Sequence, residues 1–213
     1  MVSIGRHGGR NIAALITDMN SPLGYAVGNT LEVCEAIKIL KGERVDRLSE
    51  LCIALASNMI SLALNKDIGS AEQIANEMIT SGKALEKLRE MVISQDGDAS
   101  YIDDESKFEF DDCSCDIVAK DSGFIGEINA LEIGEASVLL GAGRSVKEDE
   151  IDSKAGIILH CKVGDKINKG ERIMTLYAAD ESKIDTAKEI AESAVKIVLK
   201  QPAKTSIILN QIS

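Results

Sequence analysis

One change of rhythm divides this sequence. From residue 29 to residue 94 the apolar side chains recur at helical spacing. From residue 115 to residue 177 they fall in short strand-like blocks separated by turn residues. The stretch between, 95–112, is acidic and irregular, which predicts a surface loop or linker and a domain boundary. The division expected is residues 1–95, an acidic linker at 96–112, and a second domain at 113–213. The class is α/β joined to a smaller α+β portion rich in β-hairpins.

The first region opens with residues 1–5, which read as the last turn of a helix stopped by Gly8-Gly9. Residues 11–17 (Asn-Ile-Ala-Ala-Leu-Ile-Thr) are a short apolar run that predicts a buried strand of a parallel sheet. Residues 18–24 (Asp-Met-Asn-Ser-Pro-Leu-Gly) are turn formers. Asn29 is placed to cap a helix reaching Leu40, with Gly42 beyond its end. Strand, loop and helix in this order is the α/β pattern whose ligand sites gather at the carboxyl ends of strands. Leu48, Leu51, Cys52, Leu55, Met59 and Leu62 predict a strongly amphipathic helix, and Ser70 with Gln73 a capping box opening the next.

In the second region, residues 115–120 and 123–129 predict strands, 131–140 a short helix, and 156–162 and 171–177 two more strands. A last helix is expected over 182–199, with Ile184, Ala187, Ala191, Ala194, Val195 and Val198 on its apolar face, and a closing strand over 206–212.

Composition enters as a filter on function. The 213 residues carry 24 Lys+Arg against 35 Asp+Glu, a formal charge of −11. Phosphate neutralisation needs clustered cations, so nucleic acid is not expected as the partner, nor is an anionic membrane surface. No apolar run is expected to reach the ~20 residues of a membrane span. Five Cys at irregular spacing suit a reducing cytoplasm.

General enzyme signatures are scarce. There is no P-loop and no Gly-x-Ser-x-Gly elbow. Cys113 and Cys115 lack further soft ligands nearby and read as half-buried thiols. His160 alternates with apolar neighbours and reads as structural, whereas His7 reads as a solvent-facing loop residue. Gly141-Ala-Gly-Arg144 suits either an anion-binding turn or a helix C-cap followed by a surface Arg.

Longer phrases say more. Ile16-Thr-Asp-Met-Asn-Ser-Pro-Leu-Gly-Tyr-Ala-Val-Gly-Asn-Thr-Leu-Glu-Val-Cys-Glu-Ala36 closely resembles the signature of the pyrimidine nucleoside phosphorylases, the family that includes thymidine phosphorylase. Ser122-Gly-Phe-Ile-Gly-Glu-Ile-Asn-Ala130, Leu140-Gly-Ala-Gly-Arg144, Lys147-Glu-Asp-Glu-Ile-Asp152, Val163-Gly-Asp-Lys166 and Lys169-Gly-Glu171 follow in the family's order. The resemblance is to the C-terminal half only. It implies the C-terminal part of the large mixed α/β domain of a nucleoside phosphorylase, followed by the smaller C-terminal α+β domain.

The resemblance also implies a reaction: a pyrimidine nucleoside and phosphate give a free base and a pentose 1-phosphate. The catalytic residues, the phosphate loop and the base-binding groups would lie upstream, so none is expected in this chain. Alone it would be inactive, and its partner would be the missing N-terminal half of an enzyme that is a homodimer when intact. Thr17, Asp18 and Met19 would end a strand facing the substrate cleft; the alternative is ordinary strand-end turn chemistry. The Leu23 and Ala26 carbonyls and the Glu35 carboxylate would form part of a potassium site. No organic cofactor is implied, because Lys166 sits in a turn without the Met-Lys-Met context of a biotin carrier. Two other readings compete: a non-catalytic binding module derived from the family, and a related phosphoribosyltransferase, against which Thr17-Asp-Met-Asn20 and the C-terminal hairpins argue.

Overall fold

A computed structural model describes residues 1–43 and 45–212. The chain divides into two compact units. One comprises residues 1–18, 37–99 and 205–213, the other residues 19–36 and 100–204.

The first unit is mostly helical. Its N-terminal helix α1 (Val2–His7) stops at Gly8, at the expected glycine pair. His7 is therefore helical, with Nδ1 2.7 Å from the Ser3 carbonyl. Strand β1 (Ala14–Thr17) exists, but its partner corrects the expectation of a buried parallel strand. It pairs antiparallel with the C-terminal strand, Ile208–Ile212, to make a two-stranded ribbon in which Ile16 is exposed. Three helices supply the rest: α3 (Asp46–Leu64), α4 (Ile68–Thr80) and α5 (Lys83–Ser94). The expected capping box at Ser70 is displaced. Asp67 is the N-cap of α4, and its side chain accepts the Ser70 backbone N–H at 2.9 Å. Asp67 satisfies the orphan N–H of Ser70, so the helix begins about one turn before the expected cap.

Helix α3 packs on α4, where Ala71 and Ala75 are buried. Its own apolar stripe is different. Leu55, Met59 and Leu62 are exposed, Met59 at 70%. The 18 residues from Arg47 to Leu64 are also apolar enough by composition to pass for a membrane span, contrary to the expectation that no run comes close.

The second unit carries β2 (Ala26–Val27), then β3 (Cys113–Val118), β4 (Gly123–Ile128), β5 (Gly156–Leu159), β6 (Lys166–Ile167), β7 (Arg172–Ala178) and β8 (Val195–Val198). They form a four-stranded sheet in the order β2-β5-β7-β3 and a three-stranded sheet in the order β6-β4-β8. Every pairing among the described residues is antiparallel. Helices α7 (Ala130–Leu140) and α8 (Glu181–Ser193) pack against each other and share one core with both sheets, built on Ile117, Ile125, Ile133, Ile157, Met174 and Ala187.

Local chemistry sets these boundaries. Asn129 caps α7 through the N–H groups of Leu131 and Glu132, and Gly141 ends it at φ 108, where a side chain would be strained. The Gly141 segment is thus a helix C-cap. Helix α8 is shorter than expected. It ends at Ser193, and Val195-Lys-Ile-Val198 becomes β8 against β4, because β-branched residues gain more from pairing on a sheet than from a further helical turn. The acidic stretch is not bare loop either. It holds α6 (Ser100–Asp103), whose Ile102 is buried, and an edge-on contact between Tyr101 and Phe108.

Helix α2 (Asn29–Leu40) runs through both units. Asn29 does not cap it. The Asn29 amide donates to the Ala142 carbonyl at 3.0 Å, and Glu32 Oε1 accepts the Gly28 N–H instead.

Candidate functional site

The stretch from the last residue of β1 into α2 carries the expected substrate and cation residues, Thr17, Asp18, Met19, Leu23, Ala26 and Glu35. Thr17 pairs with Ile208 at the end of β1. The next N–H, from Asp18, donates to the Ile207 carbonyl at 2.9 Å. The Asp18 carboxylate is held by Arg47, with Nη2 2.6 Å from Oδ2 and both side chains largely buried. Met19 is 82% exposed and lines an open hollow with Asn20, Gly126, Glu127 and Asn129. Thr17 and Asp18 are thus engaged by the chain itself, while Met19 is free to meet another molecule.

The cation set is more closely gathered. Glu35, on α2, is 8% exposed, and its Oε1 accepts the Tyr25 N–H at 2.7 Å. Gly24 permits this approach, since a Cβ there would overlap the Glu35 carboxylate. The third donor follows from register. Tyr25 O accepts the Leu159 N–H at 2.7 Å, and Ala26 lies opposite Ile158. In an antiparallel pair the bonded and non-bonded positions alternate, so the Ala26 carbonyl turns away from β5. The Leu23 carbonyl accepts from the Lys162 ammonium at 3.2 Å. The same Nζ donates to Pro22 O at 3.3 Å and to Gly24 O, and lies 4.4 Å from the centre of the Tyr25 ring.

These groups suit a hard monovalent cation. They are oxygen donors, mostly carbonyls, with one carboxylate. Lys162 brings one positive charge onto one of them, the Leu23 carbonyl, and onto the neighbouring Pro22 and Gly24 carbonyls. No local signal marks it, since Lys162 lies 138 to 140 residues from its acceptors.

Other polar groups are committed elsewhere. Thr175 Oγ1 donates to Asp116 Oδ1 at 2.7 Å, so it accepts from His160 Nε2–H at 2.8 Å. That polarity is the reverse of an activated nucleophile, whose hydroxyl must donate to the imidazole. Partial burial, and then the Arg172 charge, hold the His160 pKa below its ordinary value. Burial, with Asp165 adding to it, pushes the Cys161 thiol up to about 11, so it stays protonated and unreactive. Cys113 and Cys115 are half-buried on β3, and no group of three His, Cys, Asp or Glu side chains among the described residues could hold a metal. An acidic pair lies apart from these. Desolvation, and then the Asp152 carboxylate, raise the Asp111 pKa.

Residues 124–198 match the family described as pyrimidine nucleoside phosphorylase C-terminal domain. The chain is 49% identical over 183 residues to the pyrimidine-nucleoside phosphorylase of Bacillus subtilis (strain 168), covering 85% of this chain and 42% of that protein. It is 41% identical over 213 residues to the enzyme of that name from Staphylococcus haemolyticus (strain JCSC1435), covering 100% and 48%. Against that of Geobacillus stearothermophilus the figures are 39% over 214 residues, 100% and 49%. The chain spans about half the length of the curated relatives it matches. With this similarity along its whole length, and with residues 124–198 matched by the C-terminal domain's own model, the chain corresponds to the C-terminal half of the pyrimidine nucleoside phosphorylase family.

Proposed function

We propose that this chain acts as one part of a pyrimidine-nucleoside phosphorylase, together with a segment about as long as itself. The observation that carries this reading is continuous similarity across all 213 residues to enzymes of about twice the length. The exposed stripe of α3 supports it, since an apolar face of that kind calls for a covering surface. The division at 96–112 belongs to the same reading, with the smaller α+β domain from residue 113. Five free cysteines fit a reducing cytoplasm.

The reaction holds a pyrimidine nucleoside and phosphate in line and stabilises charge on the ring and on the departing base. No general base or nucleophile is assigned here. Met19, just past β1, is the side chain assigned to substrate contact in this reading, which its exposure supports. The Leu23 and Ala26 carbonyls and the Glu35 carboxylate would hold a potassium ion in the assembled enzyme. Such an ion supplies fixed positive charge beside the phosphate.

The test is complementation. The purified chain is assayed for phosphorolysis of uridine and thymidine, alone and after coexpression with the N-terminal half of the Bacillus subtilis relative. No turnover alone and turnover with the added half are expected. Turnover by the chain alone removes the need for a partner. Neither complex nor activity on coexpression favours a non-catalytic module.

A further inference from the structure

The loop at residues 22–25 is held by a positive charge that belongs to the chain. Lys162 follows β5 in a tight turn. Its N–H donates to Asp165 Oδ2 at 2.8 Å, and its carbonyl accepts the Asp165 N–H at 3.0 Å. This fixes the base of the side chain and aims the stem at the loop. An ammonium has three N–H donors and accepts nothing. Three consecutive carbonyls, from Pro22, Leu23 and Gly24, meet those three donors, and the Tyr25 ring lies against the same charge. Carbonyl oxygens that replace a hydration shell in this way are the means by which proteins hold potassium.

Leu23 is the point of conflict. Its carbonyl is the acceptor of Lys162 and also one of the three oxygens assigned to a free cation. Two unit positive charges on one carbonyl repel strongly at that range. A tethered ammonium also competes at a high effective concentration, because it cannot diffuse away.

We propose that the Lys162 ammonium is the resident cation of this loop, and that a free monovalent cation enters only when Lys162 has withdrawn. This rests on the potassium reading above and adds its control. Ion binding is coupled to release of Lys162 from residues 22–24, and so to freedom of the loop that leads into α2.

The test compares the full chain with its Lys162→Met variant, by thermal unfolding in rising KCl against choline chloride at fixed ionic strength. The expected wild-type Tm is the same in both salts. The variant should melt lower in choline chloride and regain stability in KCl along a saturating curve. Its potassium midpoint should be at least roughly tenfold below any midpoint seen in the wild type. Thallium(I) NMR, with thallium as the potassium surrogate, should show a bound resonance in the variant only. Lys162→Gln serves in the same two measurements where the Met variant fails to fold. Equal potassium stabilisation of wild type and variant overturns the proposal while leaving the cation site standing. No potassium or thallium response in either chain removes the cation site, and the proposal with it.

Discussion

Arg47 Nη2 lies 2.6 Å from Asp18 Oδ2, with side chains only 20% and 9% exposed, and this pair ties the start of α3 to the end of β1. A pair this dry costs most when it is broken one-sidedly. Arg47→Ala removes this charged partner from the largely buried Asp18 carboxylate and should lower stability by about 1.5–3 kcal/mol in urea unfolding. Adding Asp18→Asn should recover part of that loss. Equal stability of the Ala variant and wild type would show that the pair is solvated.

Gly24 and Glu35 form the second testable couple. In Gly24→Ala the new methyl group pushes the Glu35 carboxylate off the Tyr25 N–H. The expected cost is about 1–3 kcal/mol, the penalty for an unsatisfied donor in a partly buried loop. Glu35→Ala should cost a similar amount for the same reason. The double variant should cost clearly less than the sum, since the same hydrogen bond is lost only once. Strict additivity in chemical unfolding would separate the two residues.

The Asp111 and Asp152 pair gives a pH dependence. The folded pKa of Asp111 is raised, by desolvation first and the Asp152 charge second, so the folded state holds this proton more tightly than the unfolded chain does. Its contribution is fully present below the ordinary carboxylate value of about 3.9 and is lost as pH rises through the folded value. Asp111→Asn removes the repulsion and gives the buried Oδ2 position, which has no hydrogen-bond partner, an amide in place of a charge. At neutral pH the variant should be the more stable by less than about 1 kcal/mol, because solvent screens a carboxylate that is only partly buried, and Tm should rise slightly. A variant curve parallel to wild type from pH 4 to 7 would contradict this.

Exposure of α3 predicts behaviour in solution. Met59 and Leu55 should make the isolated chain bind a hydrophobic dye and associate with itself. Met59→Lys should weaken both and move stability by less than about 0.5 kcal/mol, as for other exposed positions. Dye binding that is unchanged in the variant would locate the sticky surface elsewhere.

Much of the fold was legible because its signals are local. Asn129 before an apolar run and Gly141 after it bound α7, and the turns at Gly164 and Gly170 separate β5, β6 and β7. The misreadings share one cause, which is that partners distant in sequence decide between local options. Val195-Lys-Ile-Val198 continues the helical spacing of α8 yet pairs with β4, some 70 residues earlier in the chain. An apolar run at 14–17 looks like a buried parallel strand until its antiparallel partner at 208–212 is seen. At the candidate site, Leu23, Ala26 and Glu35 were reached through family phrases within a single loop and helix. Lys162 follows a strand with nothing nearby to mark it, and Arg47 begins a helix like any surface cation. Only the folded chain shows what each one grips.

The β1 ribbon sets an order of events during synthesis. Ala14 pairs with Ile212, and Leu15 with Gln211, so one strand is made well before the other. At roughly 5–20 residues per second, β1 waits on the order of ten to forty seconds for its partner. Throughout that interval its backbone donors and acceptors form an open edge, the kind of template on which nascent chains recruit one another. A ribosome paused just before Ile208 would therefore hold a chain whose second unit is complete in sequence and whose first is still unclosed.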